Sequence, residues 1–361
     1  MIRLTRELCE QALMGGLLLG GGGGGTLTAG REALEETFRY TDALTMLDVS
    51  ELDPEDIVVN VSTLGAPSAK DVHLTAEHWK TALKNFELNY GKKIAGFTSC
   101  ENGAISTANG WVISALTGIP LVDAPSNGRA HPTGTMGSIG LNLLPDYVTT
   151  QSSCGGKGER YVETVSRGAL NAVSHVIRQT AVADGGMVGV LRNPVTAAYL
   201  GKNAAVGAIA QALEIGGIFR SCKNGAEFVR ALEQRLDARV LLRGVIRNYS
   251  LKMEGGYDIG RLEVADGADC VELLFWNEYM LAERDGQRAA TFPDLICTLD
   301  AETGEAISTA EATDGRDAYV LVIPKEKLIL GAGMHQRVLF QEVEQLLHKD
   351  MTRCNEGLFV D

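Results

Sequence analysis

The chain has 361 residues, 45% of them apolar and 22% charged, which describes an ordinary globular protein large enough for more than one core. Its formal net charge is −13, from 33 basic and 46 acidic residues, and no basic run offsets it; nucleic acid and anionic membrane are poor partners for such a chain. The 7 cysteines are odd in number, scattered and never in a C-x-x-C pair, the N-terminal decapeptide is charged, and no apolar stretch reaches the ~18 residues of a membrane span, so a cytoplasmic, reduced environment is expected.

Residues 4–18 place Leu4, Leu8 and Ala12 at helical spacing and predict a helix. Six consecutive glycines follow, Gly20, Gly21, Gly22, Gly23, Gly24 and Gly25. A run without Cβ atoms points to close backbone approach, and before a helix start it could cradle an anion; the plainer alternative is a flexible linker. Thr28 is placed to cap a helix over residues 29–43. Neither standard glycine motif fits: a P-loop lacks its Lys, because Thr26 follows Gly25, and a dinucleotide fingerprint needs a strand where residues 4–18 read as helix.

Beyond this lie a strand over residues 56–61 running into the turn 62–67, a helix over 75–90, a strand over 94–98, a helix over 104–117 and a strand over 120–123. The alternation predicts an α/β domain with a mostly parallel sheet, with ligands expected at the carboxyl ends of its strands. Residues 151–160 are polar and glycine-rich and read as a mobile loop or hinge, which sets a soft domain boundary at 160/161. Then come a helix over 168–182, a strand over 186–191 ending at Arg192, and helices over 204–219 and 226–236. From about 238 to 330, β-rich stretches alternate with Asp266-Gly267, Asp285-Gly286 and Thr303-Gly304 turns, predicting an antiparallel barrel or sandwich within the second portion, 161–361. A helix over 337–348 closes the chain.

Several stretches together resemble one family in order: Leu18-Leu19 with the glycines, Thr63-Leu64-Gly65-Ala66-Pro67, Glu101-Asn102-Gly103, Asp123 with Gly128-Arg129-Ala130, Asn277-Glu278-Tyr279 and Pro293-Asp294-Leu295. The ordered set is similar to the S-methyl thiohydantoin desulfurase family. It departs from the family pattern at Thr26, where an acidic residue would follow the glycines, and at His131, where an aromatic would follow Gly-Arg-Ala. The resemblance implies an N-terminal α/β domain, a β-barrel-containing C-terminal portion, and hydrolysis at C2 of a cyclic imide or thiohydantoin-like ring, in some members with removal of sulfur.

Such chemistry needs an activated water, stabilisation of developing charge and protonation of the leaving group. Glu101 and Asp123, at the ends of neighbouring strands, are candidates for water activation or metal ligation; capping of the next helix is the structural alternative. Arg129 could grip a substrate carboxylate or imide oxygen, or pair with Asp123. His131 is a candidate base, acid or ligand. Gly21, Gly22, Gly23, Gly24, Gly65, Asn102, Asn277 and Glu278 are candidate substrate contacts, and Cys100 a candidate nucleophile if a helix start lowers its pKa. No cofactor is fixed by the sequence; a divalent metal such as zinc would be held by dispersed ligands, with Glu101, Asp123 and His131 the candidates. The partners expected are a small-molecule substrate and further copies of the chain. A phosphate- or nucleotide-binding enzyme at the glycines, and a non-catalytic subunit of a hydantoinase-type complex, stay open as alternatives.

Overall fold

The computed structural model describes residues 1–65, 68–69 and 71–360; Ala66 and Pro67, the end of the expected 62–67 turn, lie outside them. The first unit runs β1 (Ile2–Leu4), α1 (Arg6–Leu19), α2 (Leu27–Thr37), β2 (Leu44–Leu47), β3 (Ile57–Gly65), α3 (Ala76–Tyr90), β4 (Ile94–Ser99), α4 (Ala104–Thr107), α5 (Trp111–Thr117), β5 (Leu121–Val122), β6 (Thr149–Gly155), β7 (Val162–Gly168), α6 (Leu170–Asp184) and β8 (Met187–Thr196). Its eight strands form one sheet in the order β1-β2-β5-β4-β3-β8-β6-β7. Only β2, β5, β4 and β3 are mutually parallel; β1, β8, β6 and β7 pair antiparallel, so the sheet is mixed where a mostly parallel one was expected.

The largest departure is β6. Residues 151–160 read as a hinge because they are polar, yet residues 149–155 are a wholly buried strand between β8 and β7. Two of its hydroxyls are satisfied laterally, Thr149 Oγ1 donating to Asn193 Oδ1 at 2.9 Å and Ser153 Oγ meeting Thr164 Oγ1 at 2.8 Å, while Ser152 Oγ and Gln151 Oε1 are buried with no hydrogen-bond partner among the described residues. Hydrogen-bonded polar groups tolerate burial, so composition misled. The sheet also takes β8 from beyond residue 160. Two smaller corrections concern helices. The cap of α2 is Thr26, whose side chain accepts from the Ala29 N–H at 3.2 Å, and not Thr28. The single helix expected over 104–117 breaks at Gly110, where φ is +92°.

The second unit adds α7 (Ala197–Asn203), α8 (Ala208–Ser221), α9 (Gly225–Leu236), β9 (Arg239–Glu254), β10 (Tyr257–Asp266), β11 (Asp269–Trp276), β12 (Glu278–Arg284), β13 (Gln287–Thr291), β14 (Leu295–Asp300), β15 (Ala306–Ile307), β16 (Asp317–Ile323) and α10 (Arg337–Leu347). The strands form an eight-stranded antiparallel sheet, β13-β12-β11-β10-β9-β16-β14-β15. It curls until Tyr279 Oη of β12 lies 3.1 Å from Thr298 Oγ1 of β14, while its edge strands β13 and β15 stay unpaired with each other among the described residues. The sheet is therefore sandwich-like and not a closed barrel.

The glycine run joins the two units. α1 lies so close to α8 that a Cβ on Gly15 would fall 1.8 Å from the Ala212 carbonyl oxygen. Leu18 and Leu19 at its end enter a core shared with Ile215, Phe228, Leu295 and Leu321. From there the glycines thread between the units: the Gly21 carbonyl accepts from the Tyr279 N–H at 2.8 Å, that of Gly22 from the Thr309 N–H at 2.8 Å, and that of Gly24 from the Ser106 N–H at 3.1 Å. Every residue of the run is buried, which removes the linker reading. Gly21, Gly22, Gly24 and Gly25 have φ between +54° and +91°, a region open to glycine at little cost.

Candidate active site

Parallel pairing brings the carboxyl ends of β3 and β4 to one edge, where the loop after β5 joins them and the turn between β11 and β12 closes over them from the second unit. The cleft so formed encloses about 70 Å³. β3 supplies Thr63 and Gly65; the β4–α4 turn supplies Cys100, Glu101 and Ser106; the loop after β5 supplies His131 and Thr133; the β11–β12 turn supplies Asn277 and Glu278. Gly24 and Gly25 form part of the wall.

Glu101 is tied down as an acceptor. Its Oε1 takes the Ser106 hydroxyl at 2.9 Å and its Oε2 the His131 backbone N–H at 3.0 Å. The His131 ring folds back so that Nδ1 lies 2.8 Å from the same Oε2, off the line of a hydrogen bond. The far edge of the ring is set by Gly137, where a Cβ would fall 2.1 Å from Nε2. One turn thus fixes a carboxylate and an imidazole together.

Glu278 is held in the opposite manner. It is 2% exposed, its Oε2 has no hydrogen-bond partner among the described residues, and a Cβ on Gly23 would fall 2.2 Å from its Oε1. Burial, followed by the nearby charge of Glu101, pushes its carboxyl well above the usual range, against a weaker opposing pull from Arg129 and Arg178. A group in that position holds a proton that an exposed glutamate would have lost.

Two arginines face these acids. Arg192 of β8 donates from Nε to Asn60 Oδ1 at 3.2 Å, and Arg178 of α6 donates from Nη1 to the Gly256 carbonyl at 2.9 Å while its guanidinium carbon lies 4.2 Å from the Tyr257 ring centroid. Both line the cleft. Sequence reasoning singled out neither, nor Ser106 and Thr133. The only signal was the position of Arg192 at the end of a strand otherwise apolar; Arg178 sits on an amphipathic helix and reads like any solvated arginine.

Other expected site residues are occupied elsewhere. Asp123 lies outside the cleft: its Oδ1 accepts from the Ile209 N–H at 2.7 Å and its Oδ2 from the Ala210 N–H at 3.1 Å, capping α8. Burial raises its carboxyl. Arg129 neither pairs with Asp123 nor reaches the cleft. Fully buried, it donates from Nη1 to the Asp294 carbonyl at 2.7 Å and from Nε to that of Ala130 at 3.1 Å, over the Phe292 ring at 4.5 Å. Asn102 is equally buried and bridges the carbonyls of Gly128 and Ala208 at 3.2 and 2.8 Å. Gly21 and Gly22 serve the seam between units, Gly23 abuts Glu278, and Gly24 and Gly65 line the cleft. Asn277 also lines it, with Oδ1 accepting from the Asp258 N–H at 2.9 Å.

Cys100 is in the cleft, yet burial and the charge of Glu101 push its thiol up to about 12, so it is no thiolate at neutral pH. Of the residues considered for a metal, Glu101 and His131 meet and Asp123 does not join them. Among the described residues no group of three or more His, Cys, Asp or Glu side chains is arranged to hold an ion. No helix of the described residues is long and apolar enough to cross a membrane.

Two family models match the chain almost end to end: the S-Me-THD-like N-terminal domain over residues 8–165 and the S-Me-THD-like C-terminal domain over residues 169–333. Among curated proteins none matches. A crystal structure of a protein from Chromobacterium violaceum shares the fold with a TM-score of 0.74 at 22% identity, over 96% of this chain and 97% of that one.

Proposed function

The chain belongs to the S-Me-THD-like family, the S-methyl thiohydantoin desulfurases that its motifs resemble, and on that premise we propose that it hydrolyses an S-methyl thiohydantoin-type ring at C2. The oxygen of water bonds to C2, the C2–S bond breaks, and of the two water protons one leaves with the sulfur and the other ends on the ring nitrogen that was doubly bonded to C2, giving a hydantoin and methanethiol without any change in oxidation state. Glu101 with His131 takes the proton of the attacking water, and Glu278, protonated in its dry site, delivers one to the departing sulfur. Arg192 and Arg178 offset negative charge that develops on the ring as C2 becomes tetrahedral.

The observation that carries this reading is the pair of carboxylates with opposed environments in one small cleft, Glu101 bound by donors and Glu278 bound on Oε2 by none among the described residues. Acid–base assignments follow such pairs. The test is to incubate the purified protein with S-methyl thiohydantoin and quantify hydantoin and methanethiol together. The expected result is their release in equal amounts, with Glu101→Gln and Glu278→Gln each lowering kcat by roughly 10²–10⁴-fold. Unimpaired turnover in both variants would overturn the assignment.

A further inference from the structure

A single residue, Asn277, joins β11 to β12, and its backbone is out of the ordinary. Its φ is +57°, a left-handed conformation that is strained for a residue with a Cβ and that glycine would take freely. Such an outlier on the wall of a cleft points to a use for the side chain.

Most of its polar atoms are engaged inside the protein. The backbone N–H donates to the Asp258 carbonyl at 2.7 Å, the carbonyl accepts from Thr309 Oγ1 at 2.6 Å, and Oδ1 accepts from the Asp258 N–H at 2.9 Å. Nδ2 donates to nothing among the described residues, although Asn277 is only 8% exposed and lines the cleft. With the oxygen pinned to a backbone N–H, the planar amide keeps its orientation and its two N–H bonds keep theirs. The anchors are themselves fixed. Thr309 donates from its N–H to the Gly22 carbonyl at 2.8 Å, and Asp258 accepts on Oδ2 from the Ser68 N–H of the first unit at 2.9 Å.

Successive side chains of a strand point to opposite faces, yet Asn277 and Glu278 both line the cleft. The left-handed residue breaks the alternation and sets a neutral N–H donor next to the buried acid. Hydrolysis at C2 asks for two donors side by side. As water adds, the C2–N double bond sends its electron pair to the ring nitrogen while the sulfur prepares to leave, and both atoms are substituents of one carbon.

We propose that Asn277 is a further catalytic residue, whose Nδ2 donates to the ring nitrogen that takes up this electron pair while Glu278 serves the sulfur. The inference rests on the hydrolytic reading above and adds to the charges of Arg178 and Arg192 a directional donor held in place before the substrate arrives. A donor aimed at charge that develops during the reaction acts on the transition state more than on the bound substrate, so its loss falls on kcat and not on KM.

The experiment measures kcat and KM of the wild type, Asn277→Gly and Glu278→Gln on two substrates, S-methyl thiohydantoin and its S-(2,2,2-trifluoroethyl) analogue, whose thiolate leaves with less need of a proton. Glycine suits the left-handed turn better than asparagine does, so this variant removes the carboxamide and keeps the backbone. Asn277→Gly is expected to lose roughly 10²–10³-fold in kcat on both substrates alike, with little change in KM. The deficit of Glu278→Gln, by contrast, is expected to shrink on the trifluoroethyl substrate. Wild-type kcat in Asn277→Gly would show that the residue only makes the turn, and a deficit that vanishes on the trifluoroethyl substrate would show that it acts only through Glu278; either overturns the proposal and leaves the hydrolytic reading in place. Turnover of neither substrate by the wild type overturns that reading, and this inference with it. If the glycine variant does not fold, Asn277→Asp, which keeps the acceptor oxygen and replaces the donor, decides by the same two readings.

Discussion

The two acidic ends of the cleft are built by opposite means. At the first-unit end, Glu101 accepts from Ser106 and from the His131 backbone and stands beside an imidazole. At the second-unit end, Glu278 is buried against Gly23, and its Oε2 has no hydrogen-bond partner among the described residues. The same side chain thereby meets two surroundings, and at the second end desolvation favours the acid form of Glu278. An enzyme that must both take a proton and give one can obtain both from glutamate by arranging the surroundings.

The largest effect expected from breaking this contrast is in Glu278→Gln. Besides its loss of kcat, the substitution should change how stability depends on pH. The folded carboxyl titrates well above its unfolded value of about 4.5, so the native state binds the extra proton and wild-type stability is greatest below that value and declines as pH rises toward the folded pKa. Glutamine carries no such dependence. Melting curves across pH should show the wild type losing ground to the variant as pH increases; parallel curves would mean that Glu278 is not held as the acid.

A smaller effect sharpens the contrast from the glycine side. In Gly24→Ala the new Cβ would fall 2.5 Å from the Gly103 Cα, at a φ of +68° that alanine rarely adopts. A loss of about 2–3 kcal/mol in unfolding free energy is expected from overpacking and strain together. A variant as stable as the wild type would show that the glycine run can part from the β4–α4 turn at Gly103 without cost.

The smallest effect concerns a third carboxylate, Asp123, which the sequence ranked with Glu101. As a cap of α8 it should behave like other caps: Asp123→Ala is expected to cost about 1 kcal/mol of stability with kcat unchanged. A fall in kcat comparable to that of Glu101→Gln would return Asp123 to the chemistry.

Much of the layout was legible in the residues themselves. Helical spacing, apolar strands and Asp-Gly turns located most elements to within a few residues, and an ordered set of weak motifs pointed to the family to which the chain belongs. Glycines in a row foretold close approach, since nothing else permits a Cβ-free contact such as that of Gly23 with Glu278. These are local properties, written in side-chain size, period and backbone freedom. Residues 151–155 could not be read that way, because a polar strand buried by lateral hydrogen bonds has the composition of a loop. Nor could the separate fates of Glu101 and Asp123, both acids at a strand end, be told apart before α8 was seen to start against one and His131 against the other. Arg178 and Arg192 became site residues only when β8 and α6 were laid beside β3. Burial, desolvation and the meeting of distant side chains are properties of the packed chain, and in this protein they alone decide which acid keeps its proton.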